Sequence, residues 1–169
     1  MDEYIEQATE FLQKTNSEMK IEYMGLSVNR EWKEKEKRCL YEITLTSPRG
    51  SMTFDFWDSI RNAEIKTMTL EAYAEKRYRM PFPSLTQAEK MQASKELASK
   101  KKNAVPSVYD VLACLTKSDP GTFEDFCSDF GYDEDSRTAE RIYFAVQKEY
   151  AQLARLFTTE QMEELAEIN

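Results

Sequence analysis

The sequence predicts a single α+β domain, in which an N-terminal helix and a three-stranded antiparallel sheet precede a C-terminal helical subdomain. Three observations indicate this fold class. Apolar residues recur at helical spacing near the N-terminus, alternate with polar residues between about residues 20 and 56, and return to helical spacing after residue 106. Because strands and helices are segregated along the chain, the pattern favours an α+β fold over alternating α/β units.

The first 60 residues are predicted to form a helix followed by an antiparallel meander. The helix, over residues 2–15, has an apolar face formed by Tyr4, Ile5, Ala8, Phe11 and Leu12. Alternation then predicts strands over residues 20–28, 39–46 and 52–56, with Gly25 interrupting the first strand. The inward face of the second strand is predicted to carry Cys39, Tyr41, Ile43 and Leu45. Residues 30–38 form a charged turn around Trp32, and residues 48–50 a tighter one.

Residues 61–105 are predicted to be a basic helical insertion. One helix is expected over residues 70–79 and a second, exposed one over residues 84–102. The second helix has few apolar anchors, namely Leu85, Ala88, Met91 and Leu97. Two prolines, Pro81 and Pro83, separate the helices because proline cannot continue a helix.

Residues 106–169 are predicted to form an acidic helical subdomain. Four helix starts are indicated by the capping residues Ser107, Thr122, Ser136 and Thr158. Gly131 is placed to end the second of these helices. Two of these helices have long apolar stripes, which begin at Val108 and Ala139. The apolar face of the sheet must be covered, and the apolar faces of the helices can cover it.

Charge is distributed unevenly, and it defines two candidate binding surfaces. Residues 1–60 have a net charge of −4, residues 61–102 of +5 and residues 107–169 of −9, within a chain of net charge −8. Charge runs are often only solvated faces, but a clustered display can also attract a partner of opposite charge. The candidate partner-binding residues are Asp119, Glu124, Asp125, Asp129, Asp133, Glu134 and Asp135. The candidate nucleic-acid contacts are Lys76, Arg77, Arg79, Lys100, Lys101 and Lys102.

Composition argues against most catalytic chemistry. The chain has no histidine, so it lacks the commonest general base and metal ligand. The three cysteines have no metal-binding spacing, and no glycine-rich phosphate loop is present. We therefore predict a non-enzymatic protein with no cofactor, no metal site and three mostly buried, reduced thiols. The acidic N-terminus and the lack of a long apolar run predict a cytoplasmic protein without a membrane segment.

Two catalytic or metal-binding alternatives have weak support. An EF-hand loop starting at Asp129 has glycine at its third position, glutamate where glycine is needed and arginine at its ninth position. Helix capping explains that acidic cluster better. A metal-dependent nuclease would combine Asp55 or Asp58 with Glu64 and Lys66, but such spacing arises by chance in a chain with 32% charged residues.

One segment resembles a known group of proteins. Residues 109–136, with the sequence YDVLACLTKSDPGTFEDFCSDFGYDEDS, resemble a recurrent segment in small acidic proteins of bacteriophages and other mobile elements. The strand motifs YEITLT at residues 41–46 and TFDF at residues 53–56 are similar to the N-terminal half of the same family. The resemblance covers about two-thirds of the chain and carries no catalytic motif. It implies a setting like that of anti-CRISPR and anti-restriction inhibitors, several of which mimic DNA.

The leading hypothesis is therefore an anti-CRISPR-like inhibitor that binds a host nucleic-acid-targeting effector in the bacterial cytoplasm. Its acidic surface would occupy a basic groove that normally holds phosphates. The second hypothesis is an accessory nucleic-acid-binding module acting through the basic insertion. The third is the metal-dependent nuclease. The sequence leaves the oligomeric state and the targeted effector open.

Overall fold

The computed structural model describes residues 2–30, 34–116 and 119–168, and it has the predicted α+β architecture. The elements in chain order are α1 (Glu3–Lys14), β1 (Glu18–Val28), β2 (Lys37–Ser47), β3 (Gly50–Trp57), α2 (Ile60–Thr67), α3 (Leu70–Tyr78), a 3-10 helix (Phe82–Ser84), α4 (Gln87–Asn103), α5 (Val108–Thr116), α6 (Phe123–Phe130), α7 (Arg137–Leu156) and α8 (Thr159–Glu167). No helix among the described residues combines the length and the apolarity needed to span a bilayer.

The three strands form one antiparallel sheet in the order β1-β2-β3. Its central strand shows the predicted alternation, because Cys39, Tyr41, Ile43 and Leu45 are all at most 2% exposed. On the opposite face, the Thr44 hydroxyl lies 3.4 Å from that of Thr53. A two-residue turn at residues 48–49 joins β2 to β3, and Gly50, which was predicted to lie in the turn, is the first residue of β3. The edge strand β1 is less well covered, and its Tyr23 is 45% exposed.

The chain divides into two compact units. The first contains α1, α5–α8 and most of the sheet, and the second is built from the described parts of Met24–Leu40 and Trp57–Val105. The predicted insertion over residues 61–105 falls entirely within the second unit. The single domain predicted over residues 1–169 stays a prediction.

Helices close the core of the first unit. Helix α1 packs on α5, and α5 packs on α8. The ring of Phe11 lies 5.2 Å from that of Phe157, just beyond the end of α7. The buried Ser47 hydroxyl at the end of β2 donates to the Leu156 carbonyl at 2.7 Å. This bond satisfies one of the carbonyls that a helix C-terminus leaves without an intrahelical partner.

The second unit has its own small core, formed by Tyr73, Ala74, Leu85, Ala93 and Leu97. Helix α3 packs on α4 there, with the 3-10 helix beside α3. Helix α4 begins with a full capping box, in which the Thr86 and Glu89 side chains each accept from the other's backbone N–H. The residues after the sheet therefore form a packed helical unit with a core of its own.

Several sequence expectations are corrected. Helix α2 was not predicted, since it buries only Ala63 and shows almost no apolar stripe. In α4 the expected anchors Ala88 and Met91 are exposed, and Ala93 is buried instead. Cys114 is exposed, whereas all three thiols were expected to pack inside. Trp32 lies outside the described residues.

Candidate functional site

The predicted acidic surface is built on helix α6 and the loops at its two ends. The helix starts after Thr122, whose hydroxyl accepts from the Asp125 N–H at 3.1 Å and donates to the Asp125 carboxylate at 2.8 Å. It ends at Gly131, whose φ of 71° lies in the left-handed region that favours glycine. We call residues 119–135 the acidic segment.

A cluster of aromatic rings lies beneath the acidic segment. At its centre Phe126 is 3% exposed, and its ring centroid lies 5.0 Å from that of Phe130, 5.8 Å from Tyr132 and 5.5 Å from Tyr143. Phe123 meets the Tyr143 ring edge-on at 5.4 Å. Such offset and edge contacts add to the free energy of apolar burial. Phe123 and Phe126 therefore pack α6 against Tyr143 of α7.

Polar contacts fasten both ends of the acidic segment. The Tyr143 hydroxyl on α7 donates to the Gly121 carbonyl at 2.8 Å, which fixes the loop before α6. After α6, the Tyr132 N–H donates to the Cys127 carbonyl at 2.9 Å. Ser136 then caps α7 by accepting from the Ala139 N–H. The carboxylates are thus carried by backbone that is held in place from both sides.

All seven predicted carboxylates of the acidic segment are exposed. Among the described residues none of them forms a salt bridge, although three such bridges occur elsewhere in the chain. Only two have side-chain hydrogen bonds there: Asp119 accepts from the Gly121 N–H, and Asp125 accepts from Thr122. The other five, Glu124, Asp129, Asp133, Glu134 and Asp135, have no such bond within the described chain.

The negative field of the acidic segment also acts on neighbouring groups. Burial raises the pKa of the Cys127 thiol, and the charges of Glu134 and Asp133 raise it further. Burial likewise raises the pKa of Tyr150, with a smaller contribution from Asp119. In both cases a nearby carboxylate disfavours a second negative charge. The segment is therefore suited to a positively charged partner.

Two large aromatic side chains are exposed on the same pair of helices. Phe130 on α6 is 67% exposed. Phe144 on α7 is 56% exposed, and its ring lies 5.8 Å from that of Tyr143. Aromatic side chains, including phenylalanine, are enriched in the buried cores of protein interfaces. Neither exposed side chain was predicted from the sequence, because helical periodicity alone does not show where a helix face stops being covered by the rest of the protein.

The second unit brings together half of the predicted basic residues. A groove of about 330 Å³ is lined by Arg61, Glu64, Ile65, Met68, Tyr73, Lys76, Arg77, Leu97 and Lys100. These residues lie on helices α2, α3 and α4, apart from Met68, which directly follows α2. Lys76, Arg77 and Lys100 were predicted, whereas Arg79, Lys101 and Lys102 do not line the groove. We call it the basic groove.

Arg61 was missed because helix α2 was missed. The sequence does contain one indication of that helix, since Ser59 precedes it and accepts from the Asn62 N–H at 3.2 Å. Lys76 and Lys100 are 24 residues apart, so only the packing of α3 on α4 brings them to one groove.

A hydrogen-bonded network supports one wall of the basic groove. The hydroxyl of Tyr73 donates to the Glu96 carboxylate at 2.8 Å, and Glu96 also pairs with Arg77 Nε at 3.5 Å. The hydrogen bond from Tyr73 is the main reason that the pKa of Glu96 is lowered. Lys100 Nζ lies 5.3 Å from the centre of the Tyr73 ring, within cation–π range. Arg77 and Lys100 are therefore both positioned by contacts with neighbouring side chains.

The residues named in the nuclease hypothesis do not have the arrangement that the hypothesis requires. Glu64 and Lys66 lie within helix α2 and not at a strand end. The buried Asp58 accepts from the Ser59 N–H and from Asn62 Nδ2, at 2.7 and 2.9 Å. Within the described ranges, no group of three or more Cys, Asp or Glu side chains is placed to hold a metal ion.

Comparison with protein-family models, with curated proteins and with solved structures finds no match to this chain. The acidic segment and the basic groove therefore carry the functional proposals.

Proposed function

We propose that this protein is an anti-CRISPR-like inhibitor, used by a phage or another mobile element, that binds a host nucleic-acid-targeting effector through the acidic segment. The observation that carries the proposal is the exposure of all seven carboxylates on a short helix packed against α7 and on its flanking loops. The resemblance of residues 109–136 to proteins of mobile elements supports the same setting. The expected location is the bacterial cytoplasm of the host.

Electrostatics explains why such a surface would compete with nucleic acid. Proteins that hold nucleic acid line their grooves with lysine and arginine, because phosphate contacts dominate the affinity. Carboxylates on a fixed scaffold can take the place of phosphates in such a groove. Little conformational entropy is then lost on binding, since α6 is already held by its aromatic contacts.

The exposed aromatics give the proposed interface an apolar component. Phe130 lies on α6 between the carboxylates Asp129 and Asp133 in sequence, and Phe144 lies on α7. Charges mainly accelerate association and set specificity, whereas buried aromatics slow dissociation. We therefore expect charge variants to change the association rate, and Phe130→Ala to change the dissociation rate.

The test is an interference assay in bacteria carrying a panel of CRISPR and restriction systems. The protein is expressed as the parent chain or with Asp129, Asp133 and Glu134 replaced by lysine. These three side chains have no hydrogen bond or salt bridge among the described residues, so the replacements break no such contact there. Asp125 is left unchanged because it is bonded to the cap of α6.

A matched control carries lysine at Glu10, Glu163 and Glu167, which are exposed on other helices of the first unit. Both variants change the net charge from −8 to −2, since each reversal adds two charges. We expect the parent and the control to block at least one system and the acidic-segment variant to block none. Equal inhibition by a folded acidic-segment variant would refute the mechanism, and no inhibition by the parent in any system would refute the function.

A further inference from the structure

We infer that the basic groove of the second unit binds a nucleoside phosphate, either as a free nucleotide or as the phosphorylated end of a nucleic-acid strand. This inference is independent of the inhibitor proposal, because it concerns other residues in a different unit. It narrows the nucleic-acid hypothesis to a ligand of defined size and chemistry.

The charge of the lining points to a phosphate. Four cationic side chains, Arg61, Lys76, Arg77 and Lys100, line the groove together with one carboxylate, that of Glu64. The ion pair with Glu96 engages Arg77 through Nε, and no hydrogen bond engages its two terminal nitrogens within the described chain. Lys76 and Arg61 make no salt bridge there either. Cationic donors that converge on one groove are the usual arrangement for binding a phosphate group.

The remaining lining points to a nucleoside rather than to a bare anion. Ile65, Met68 and Leu97 supply apolar surface, and Tyr73 lies beside Lys100. A flat heterocyclic base can pack against such surface, while the Glu64 carboxylate can accept from hydroxyl or amino groups. The volume of about 330 Å³ is at the lower end of the range for small-molecule sites, roughly 300–1,000 Å³.

The same dimensions argue against a long strand as the ligand. The groove is lined by nine residues from three helices and their ends, and four of these residues are cationic. A long strand would place most of its phosphates beyond these four cations. A single phosphorylated nucleotide has no need to extend beyond them.

The test is isothermal titration calorimetry on the full chain with defined probes. The probes are the four nucleoside 5′-monophosphates, inorganic phosphate, and one short DNA oligonucleotide with and without a 5′-phosphate. The groove variant is Lys76→Ala with Lys100→Ala. Its matched control is Lys95→Ala with Lys102→Ala, which removes the same charge from exposed positions of α4 outside the groove.

We expect at least one nucleoside monophosphate to bind more tightly than inorganic phosphate. The groove variant should weaken that binding by about tenfold or more, as the loss of charge-assisted hydrogen bonds predicts, and the control by less than about twofold. Tighter binding of the phosphorylated oligonucleotide than of free nucleotides would identify a strand end as the source. Tighter binding of the free nucleotide would identify a small-molecule ligand, and both results support the inference.

Four results would overturn the inference. One is the absence of heat with every probe at millimolar concentration. Another is equal affinity for inorganic phosphate and nucleotides, and a third is equal binding of the two oligonucleotides without binding of free nucleotides. The last is equal weakening by the groove variant and its control, once circular dichroism shows that both are folded.

Discussion

Two phenylalanines one helical turn apart on α6 allow the aromatic cluster to be tested directly. Among the described residues, Phe126 is 3% exposed and contacts three other rings, whereas Phe130 is 67% exposed and contacts one. Replacing a buried phenylalanine by alanine typically lowers the free energy of unfolding by about 3–5 kcal/mol. For Phe130→Ala the main loss is the single ring contact with Phe126, which is worth about 0.5–1.5 kcal/mol.

The two substitutions are chemically identical, so burial is the variable that differs. We expect the thermal midpoint to fall by roughly 6–20 °C for Phe126→Ala and by a few degrees for Phe130→Ala, since 1 kcal/mol corresponds to about 2–4 °C in a chain of this size. Urea unfolding monitored by circular dichroism measures the free energies. Amide hydrogen exchange over residues 123–144 then shows whether the loss is local to α6 and α7.

Equal stability losses in the two variants would refute the reasoning. So would a Phe126→Ala chain that unfolds at the parent's urea midpoint with unchanged amide protection in α6. Either result would mean that α6 is not held by the aromatic cluster and that the acidic segment is not preorganised by it.

Three further predictions concern single groups. Burial and, to a lesser extent, the charge of Asp55 raise the pKa of Glu149 above its ordinary value of 4.5. The Glu149 side chain therefore contributes most to folding stability at acid pH, and this contribution is lost as the pH rises through the raised pKa. Glu149→Gln should therefore raise the urea midpoint more at pH 7 than at pH 4, and an equal change at both would contradict this. In the native protein the exposed Cys114 should react first with a thiol reagent, whereas the buried Cys39 and Cys127 should react only on unfolding. Equal reaction rates for the three thiols would contradict this difference in burial. Gly131→Ala should lower the free energy of unfolding by about 1–2 kcal/mol. The left-handed backbone alone accounts for this loss, because a Cβ at this position would meet open space. Gly131→Asn should lower the free energy of unfolding by less in the same urea titration, since asparagine tolerates this conformation better.

The elements that are predicted best from the sequence are those whose apolar residues alternate along a strand, or recur at helical spacing, on a strongly buried face. Strand β2 is the clearest example, because every second residue from Cys39 to Leu45 is buried. Helix α2 was missed because it buries only Ala63, so its residues show no apolar period. A similar difficulty explains the errors in α4, where the small Ala93 is buried together with Leu97 and the larger Met91 is not.

The acidic segment and the basic groove differ in how far sequence can define them. The acidic segment is contiguous, so its carboxylates could be found by reading residues 119–135. The basic groove depends on three helices from residues 61 to 100, and spacing along the chain carries no information about which lysines share it. Arg79 and Lys102 looked equivalent to Lys76 and Lys100 in the sequence, and only the packing of α3 on α4 separates them.

The proposal for the acidic segment and the proposal for the basic groove can be refuted independently of each other. The acidic segment is supported by the cluster of Phe126, Cys127, Ala139 and Tyr143, and the basic groove by the distinct cluster around Tyr73 and Leu97. A substitution that removes charge from one surface leaves the core of the other intact. The acidic-segment variant should therefore still bind nucleotides, and the groove variant should still inhibit. If the folded groove variant stopped inhibiting, the inhibited partner would have to engage the basic groove as well as the acidic segment. If the folded acidic-segment variant stopped binding nucleotides, the two surfaces would have to be energetically coupled.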